Sequence, residues 1–188
     1  MSLHHFIHDP VLHILAIASL VSWAIIFSRL SSIRRCRRAD EVFSPSEALS
    51  EAPLGLLHRE LQRHHGAGRE YLVTVMDTAI RKQRRRLEGM LPLVGVIGST
   101  APYIGLFGTV IGIIQAFQAI QTTNNMSPAV VSGGISSSLI ATAAGLAVAI
   151  PAVAAHHLLS AAIAKRVDAW EESLALALPD PEGKEGAA

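Results

Sequence analysis

Two runs decide the fold: LPLVGVIGSTAPYIGLFGTVIGIIQAFQAI at residues 91–120, and VVSGGISSSLIATAAGLAVAIPAVAAHHLLSAA at residues 130–162. No Asp, Glu, Lys or Arg occurs between Glu88 and Lys165. Ordinary soluble domains are about 25% charged, so a gap of this length is foreign to them. Each run exceeds the roughly 20 residues a helix needs to cross the hydrocarbon layer. Both are rich in Gly, Ala, Ser and Thr, which let membrane helices approach closely. Residues 121–129, with Gln121, Asn124, Asn125 and Pro128, read as the turn of a membrane hairpin.

Residues 11–28 form a third apolar run, broken only by His13 and small polar residues. No basic residue precedes it and no clean small-residue cleavage pattern follows, so it reads as a span and not as a secretory signal. Arg29, Arg34, Arg35, Arg37 and Arg38 follow directly. The positive-inside rule places that end in the cytoplasm and residues 1–10 outside. Trp23 and Phe27 suit the interface near the basic end, and Arg34, Arg35, Arg37 and Arg38 are expected to contact anionic lipid headgroups.

Residues 29–90 then form a cytoplasmic helical segment. Leu54, Leu57 and Leu61 recur at helical spacing, and Gly66-Ala67-Gly68 ends that helix. Leu72, Val73, Met76 and Ile80 define the apolar face of a second helix. Arg81, Lys82, Arg84, Arg85 and Arg86 mark the cytoplasmic side again, and this helix is expected to run into the first gap helix with Pro92 as a kink. Lys165 and Arg166 mark the return to the cytoplasm, with a tail over 163–188 that is amphipathic to Leu178 and disordered beyond. The fold expected is all-α: three transmembrane helices at 11–28, 91–120 and 130–162, helical cytoplasmic extensions, N-terminus out and C-terminus in.

The totals are those of one domain of 188 residues, half of them hydrophobic and 16% charged. A net charge of +1 makes no case for nucleic acid, and the single cysteine, Cys36, allows no intrachain disulfide. His4, His5 and His8 sit on a chain terminus, too weak a pattern to read as a metal site. No metal or other cofactor is expected.

Each hairpin helix carries one face of small residues. On the first, Gly98, Pro102, Gly105, Thr109, Gly112 and Ala116 follow at spacings of three and four. On the second, Gly134, Ser138, Thr142, Gly145, Ala149 and Ala152 do the same. In a symmetric hairpin Thr109 and Thr142 share one depth near mid-membrane. Such faces are packing faces, lumen walls, or both, and a membrane Thr commonly bonds its own helix at i−4. No acid or base other than His156 and His157, near one end, lies inside the hairpin spans. Proton relays need an intramembrane ionisable group. Should the chain take part in proton transport, another polypeptide must bring the acid. Catalysis has no foothold: Ser136 and His156 lie about 30 Å apart along one helix.

At these residues the sequence resembles a known family. Ala101-Pro102-Tyr103-Ile104-Gly105-Leu106-Phe107-Gly108-Thr109-Val110 is similar to the second membrane helix of the TolQ/ExbB proteins, relatives of the flagellar stator MotA. Gly134-Ile135, Leu139-Ile140-Ala141-Thr142-Ala143-Ala144-Gly145-Leu146 and Ala149-Ile150-Pro151-Ala152-Val153 are similar to the third, and Ser22-Trp23-Ala24-Ile25-Ile26-Phe27 to the end of the first. The resemblance implies a homo-pentamer around an apolar pore. Two helices of a TolR/ExbD-like single-span partner would sit in it, each bringing an Asp that Thr109 and Thr142 face. It implies a proton-driven stator in the bacterial inner membrane that passes its output to a TonB- or TolA-like protein. Gly98, Pro102, Gly105, Gly112, Gly134, Gly145 and Pro151 are the expected packing positions; Ser137 and Ser138 join the two threonines on the expected pathway. One departure stands out. Many family members carry Glu five residues before the third-helix threonine, where this chain has Ser137 within Ser136-Ser137-Ser138. The TolQ and ExbB types are not separable on these residues. The alternatives are a same-family motor with another output, such as gliding or defence, and a passive membrane scaffold for a partner helix.

Overall fold

A computed structural model describes residues 10–41, 53–64, 67–123 and 128–178. All elements among them are helices: α1 (Pro10–Glu41), α2 (Pro53–Arg63), α3 (Arg69–Glu88), α4 (Leu91–Thr123) and α5 (Pro128–Ala175). Three of the five begin on proline, whose fixed φ suits a first helical position and whose missing N–H is no loss there. The histidines His4, His5 and His8 lie outside the described residues.

The chain divides into two compact units, residues 1–27 with 90–157 and residues 28–89 with 158–188. Helices α1 and α5 each contribute a segment to both.

In the first unit three helices are long and apolar enough to cross a membrane. Less than a third of each apolar window is buried within the chain. Leu20, Phe27, Tyr103, Phe107, Phe117 and Ile150 are all more than half exposed. Large apolar side chains outside and small residues within is the arrangement a lipid solvent favours, since packing between such helices rests on close van der Waals contact. The core is a cluster of Val11, Leu12 and Leu15 from α1 with Ala101 of α4 and Ala141 and Ala149 of α5.

The second unit is built from the C-terminal part of α1, the α2–α3 pair and the C-terminal part of α5. Leu57 of α2 and Leu72, Ile80 and Leu87 of α3 are buried, while Leu54, Leu61 and Met76 are half-buried. Val73, expected on that face, is exposed. On α5, Leu159, Ile163, Val167, Trp170 and Leu174 make one buried stripe at spacings of three and four.

Asp40, its side chain only 6% exposed, joins three helices of this unit. Trp170 Nε1 donates to its Oδ2 at 3.0 Å, Arg166 Nη1 lies 3.6 Å from the same oxygen, and Leu54 N–H donates to Oδ1 at 3.4 Å. Leu54 is in the first turn of α2, where the backbone N–H has no intrahelical acceptor, so the carboxylate satisfies it as a cap does.

One expectation is corrected. The α3 helix does not run on into the apolar run. It stops at Glu88, because Gly89 takes φ 46°, and Gly89 N–H returns to Arg85 O at 3.0 Å. Arg29 Nη1 donates to Arg86 O (3.0 Å) and Leu87 O (3.4 Å), placing a cation at the negative end of α3. Pro92 therefore lies in the first turn of α4, where it breaks no hydrogen bond, and is no kink. Past the third apolar run the chain stays helical, and α5 continues unbroken through Lys165 and Arg166 to Ala175. Charge stops a span, but it does not stop a helix.

Candidate proton-pathway site

The two small-residue faces meet. A Cβ placed on Gly98 would lie 2.7 Å from Val153 Cγ2 and 3.4 Å from Ala152 Cβ. One on Gly105 would meet Ala141 O at 2.7 Å and Gly145 Cα at 3.2 Å. One on Gly112 would meet Ser138 Cβ at 2.5 Å, and one on Gly134 would meet Ala116 Cβ at 2.6 Å. The pairs Gly98–Ala152, Gly105–Gly145 and Gly112–Ser138 step forward seven residues on α4 as they step back seven on α5. A seven-residue repeat keeps one seam facing another in a left-handed crossing.

Thr109 and Thr142 lie in this seam at one level. Gly108, beside Thr109, meets Ala141, beside Thr142. Thr109 is buried, and its Oγ1 donates to Leu106 O of its own helix at 2.6 Å. Thr142 is half-buried, and its Oγ1 donates across the seam to Gly105 O at 3.1 Å. Ser138 is buried and donates to Ile135 O at 2.7 Å. All three hydroxyl protons are thus committed to backbone carbonyls. What remains at each oxygen is lone-pair capacity, so these groups are set to accept a hydrogen bond. Ser137 belongs to α5, but its side chain lies outside the described residues. Pro102 and Pro151 are half-buried inside α4 and α5. Arg34, Arg35, Arg37 and Arg38 are exposed on α1, in the other unit.

The structure adds residues that spacing alone passed over. Gly108 is where α1 comes in: a Cβ there would meet Ala141 Cβ at 2.7 Å and Val11 Cγ1 at 3.0 Å. Its signal was its place in the quoted Gly105-Leu106-Phe107-Gly108 run, three residues from Gly105. His156 continues the α5 seam four residues past Ala152, its Nδ1 lies 3.2 Å from Leu91 O, and its ring packs over Gly95. Ser22 on α1 is buried and its Oγ has no hydrogen-bond partner. Among the described residues no three His, Cys, Asp or Glu side chains group as metal ligands.

A seam of small residues with inward hydroxyls and no charge matches one known group over residues 48–172, two thirds of the chain. The chain belongs to the MotA/TolQ/ExbB proton channel family. It is 34% identical to the Tol-Pal system protein TolQ of Pseudomonas aeruginosa, over 78% of this chain and 75% of that one. It is 34% identical to the biopolymer transport protein ExbB of Neisseria meningitidis, over 81% and 83%, and 33% identical to the TolQ of Haemophilus influenzae, over 86% and 81%. Both types are matched at the same level. With three helices fit to cross, this member of the MotA/TolQ/ExbB family is a multi-pass protein of the bacterial inner membrane.

Proposed function

We propose that the chain is the channel-forming stator subunit of an inner-membrane motor driven by the proton motive force, which energises a TonB- or TolA-like protein acting at the outer membrane. One observation carries the reading. A proton-channel family member has no Asp, Glu, Lys or Arg between Glu88 and Lys165. The titratable carboxyl is supplied by a TolR/ExbD-like single-span partner standing in the lumen of a homo-pentamer. A protonated carboxyl is a hydrogen-bond donor, and the oxygens of Thr109 and Thr142 keep acceptor capacity after their own protons are spent on Leu106 O and Gly105 O. One charge moved across 100 mV releases about 2.3 kcal/mol, the drive available per proton. Ser137 and Ser138 stand on the third helix five and four residues before Thr142 and join the pathway. The N-terminus faces the periplasm, the turn at 121–129 likewise, and residues 29–90 and 163–188 face the cytoplasm.

The test is Thr109→Val and Thr142→Val, which keep shape and remove the hydroxyl. A stator assembles with its partner and loses energised function, read as loss of proton-motive-force-dependent activity of the TonB- or TolA-like protein. A passive scaffold tolerates both changes, and that result would overturn the reading.

A further inference from the structure

Helices α1, α2 and α3 of the second unit enclose an open cavity of about 320 Å³. Its floor is apolar, with Ala39, Leu56 and Leu87, and its rim carries Arg35, Arg86 and Gln83. Among the described residues no acidic side chain lines it. Neither arginine is in an ion pair among the described residues. Arg81 and Arg84 of the same basic run are neutralised by Asp77 and Glu88 one turn away. Arg35 spends only its Nε–H, on Ser31 O at 3.4 Å, and Arg86 gives only its backbone carbonyl, to Arg29. Two exposed guanidinium groups from two helices therefore flank one apolar hollow, with no carboxylate of the described residues lining it.

We propose that this cavity binds the headgroup of one anionic phospholipid, its phosphate held between Arg35 and Arg86 and its glycerol end on the Ala39–Leu56–Leu87 floor. The chemistry follows from the donors. A guanidinium presents paired N–H groups in the geometry of phosphate oxygens. The volume is at the small end for ligand sites and suits a headgroup without its chains. This is a stoichiometric site, distinct from a diffuse attraction of the whole arginine cluster to the membrane surface. It rests on the reading that residues 29 onward face the cytoplasm.

Cys36 lines the cavity and is the chain's single cysteine, so it reports on occupancy without further engineering. The full chain is placed in nanodiscs of phosphatidylcholine with and without phosphatidylglycerol, and the rate of maleimide addition to Cys36 is followed. Phosphatidylglycerol is expected to slow labelling several-fold. The Arg35→Gln/Arg86→Gln pair loses that protection, and the Arg34→Gln/Arg38→Gln pair keeps it. Equal rates in the two lipids for the wild type overturn the proposal. So does equal loss in both arginine pairs, which would leave only a diffuse field. Inorganic phosphate protecting Cys36 in phosphatidylcholine alone would reassign the site to a soluble anion and equally overturn it. Native mass spectrometry of the detergent-solubilised chain gives a second readout: one phosphatidylglycerol retained by the wild type and lost in Arg35→Gln/Arg86→Gln. No retained lipid in the wild type counts against the site. Maleimide added from either side of sealed vesicles reports the topology separately, so failure of the orientation is distinguishable from failure of the site.

Discussion

Thr142 is the residue at which packing and function are hardest to separate. Its hydroxyl ties α5 to α4 through Gly105 O. Bonds of this kind inside membranes are worth about 0.6 kcal/mol on average. Thr142→Val is therefore expected to lower unfolding stability in detergent by less than 1 kcal/mol, so a total loss of energised function cannot be charged to misfolding. Asp40 is the opposite case. Asp40→Ala strands Trp170 Nε1–H, the Arg166 guanidinium and the Leu54 N–H in the first turn of α2. Removing one partner of a buried charged pair costs about 3 kcal/mol or more. The expected signs are a lowered melting temperature and a red shift in Trp170 emission, with Asp40→Asn intermediate because its amide oxygen still accepts. Asp77 lies at the other extreme. Its hydrogen bond from Arg81 holds its carboxyl below the usual carboxylate range. The lowered folded-state value means that the contribution is present above the ordinary carboxylate pKa and fades as pH falls below it, so between pH 5 and pH 8 Asp77→Asn is expected to melt slightly below the parent chain by a constant margin, and the margin is expected to close as pH falls below about 4.

Among the elements, the α4–α5 seam and the α3–α4 break carry the most exacting geometry. Gly105→Leu drives a side chain into Ala141 O and Gly145 Cα, and overpacking of this kind costs about 1–3 kcal/mol. Gly133→Ala is the control on the same helix pair. Nothing lies within 4 Å of its added Cβ, and alanine is the better helix former by about 1 kcal/mol. Thermal unfolding in detergent is expected to fall for the first and hold or rise for the second. At the break, Gly89 pairs φ 46° with ψ −117°, a conformation that residues with a Cβ rarely adopt. The Arg29 guanidinium occupies the space a side chain would need. Gly89→Ala is expected to cost on the order of 1–3 kcal/mol, seen as early proteolysis near residue 89.

On the scale of the whole molecule, the proportion of apolar surface left outside is what marks the membrane protein. Side chains such as Tyr103, Phe107, Phe117 and Ile150 are left to be covered by lipid or by other subunits. A chain so exposed is expected to aggregate when detergent is withdrawn and to recover dispersity in nanodiscs, as followed by size-exclusion chromatography.

The three spans, the small-residue faces and the missing intramembrane acid were all legible in the sequence. Each is a matter of composition or of spacing along one helix, and a lipid solvent enforces both directly. The level pairing of Thr109 with Thr142 was legible for the same reason, since a hairpin of two straight helices fixes depth by counting residues. Other features depended on partners far away in the chain. Asp40 meets Trp170 and Arg166 from the opposite end of the sequence, and Arg29 closes α3 over a glycine that helical periodicity alone treated as passable. Hydrogen bonds of that reach leave no period for a sequence to display. Whether Thr142 bonds its own helix or its neighbour was decided by the closeness of two glycines, Gly105 and Gly145, and so only by the tertiary structure.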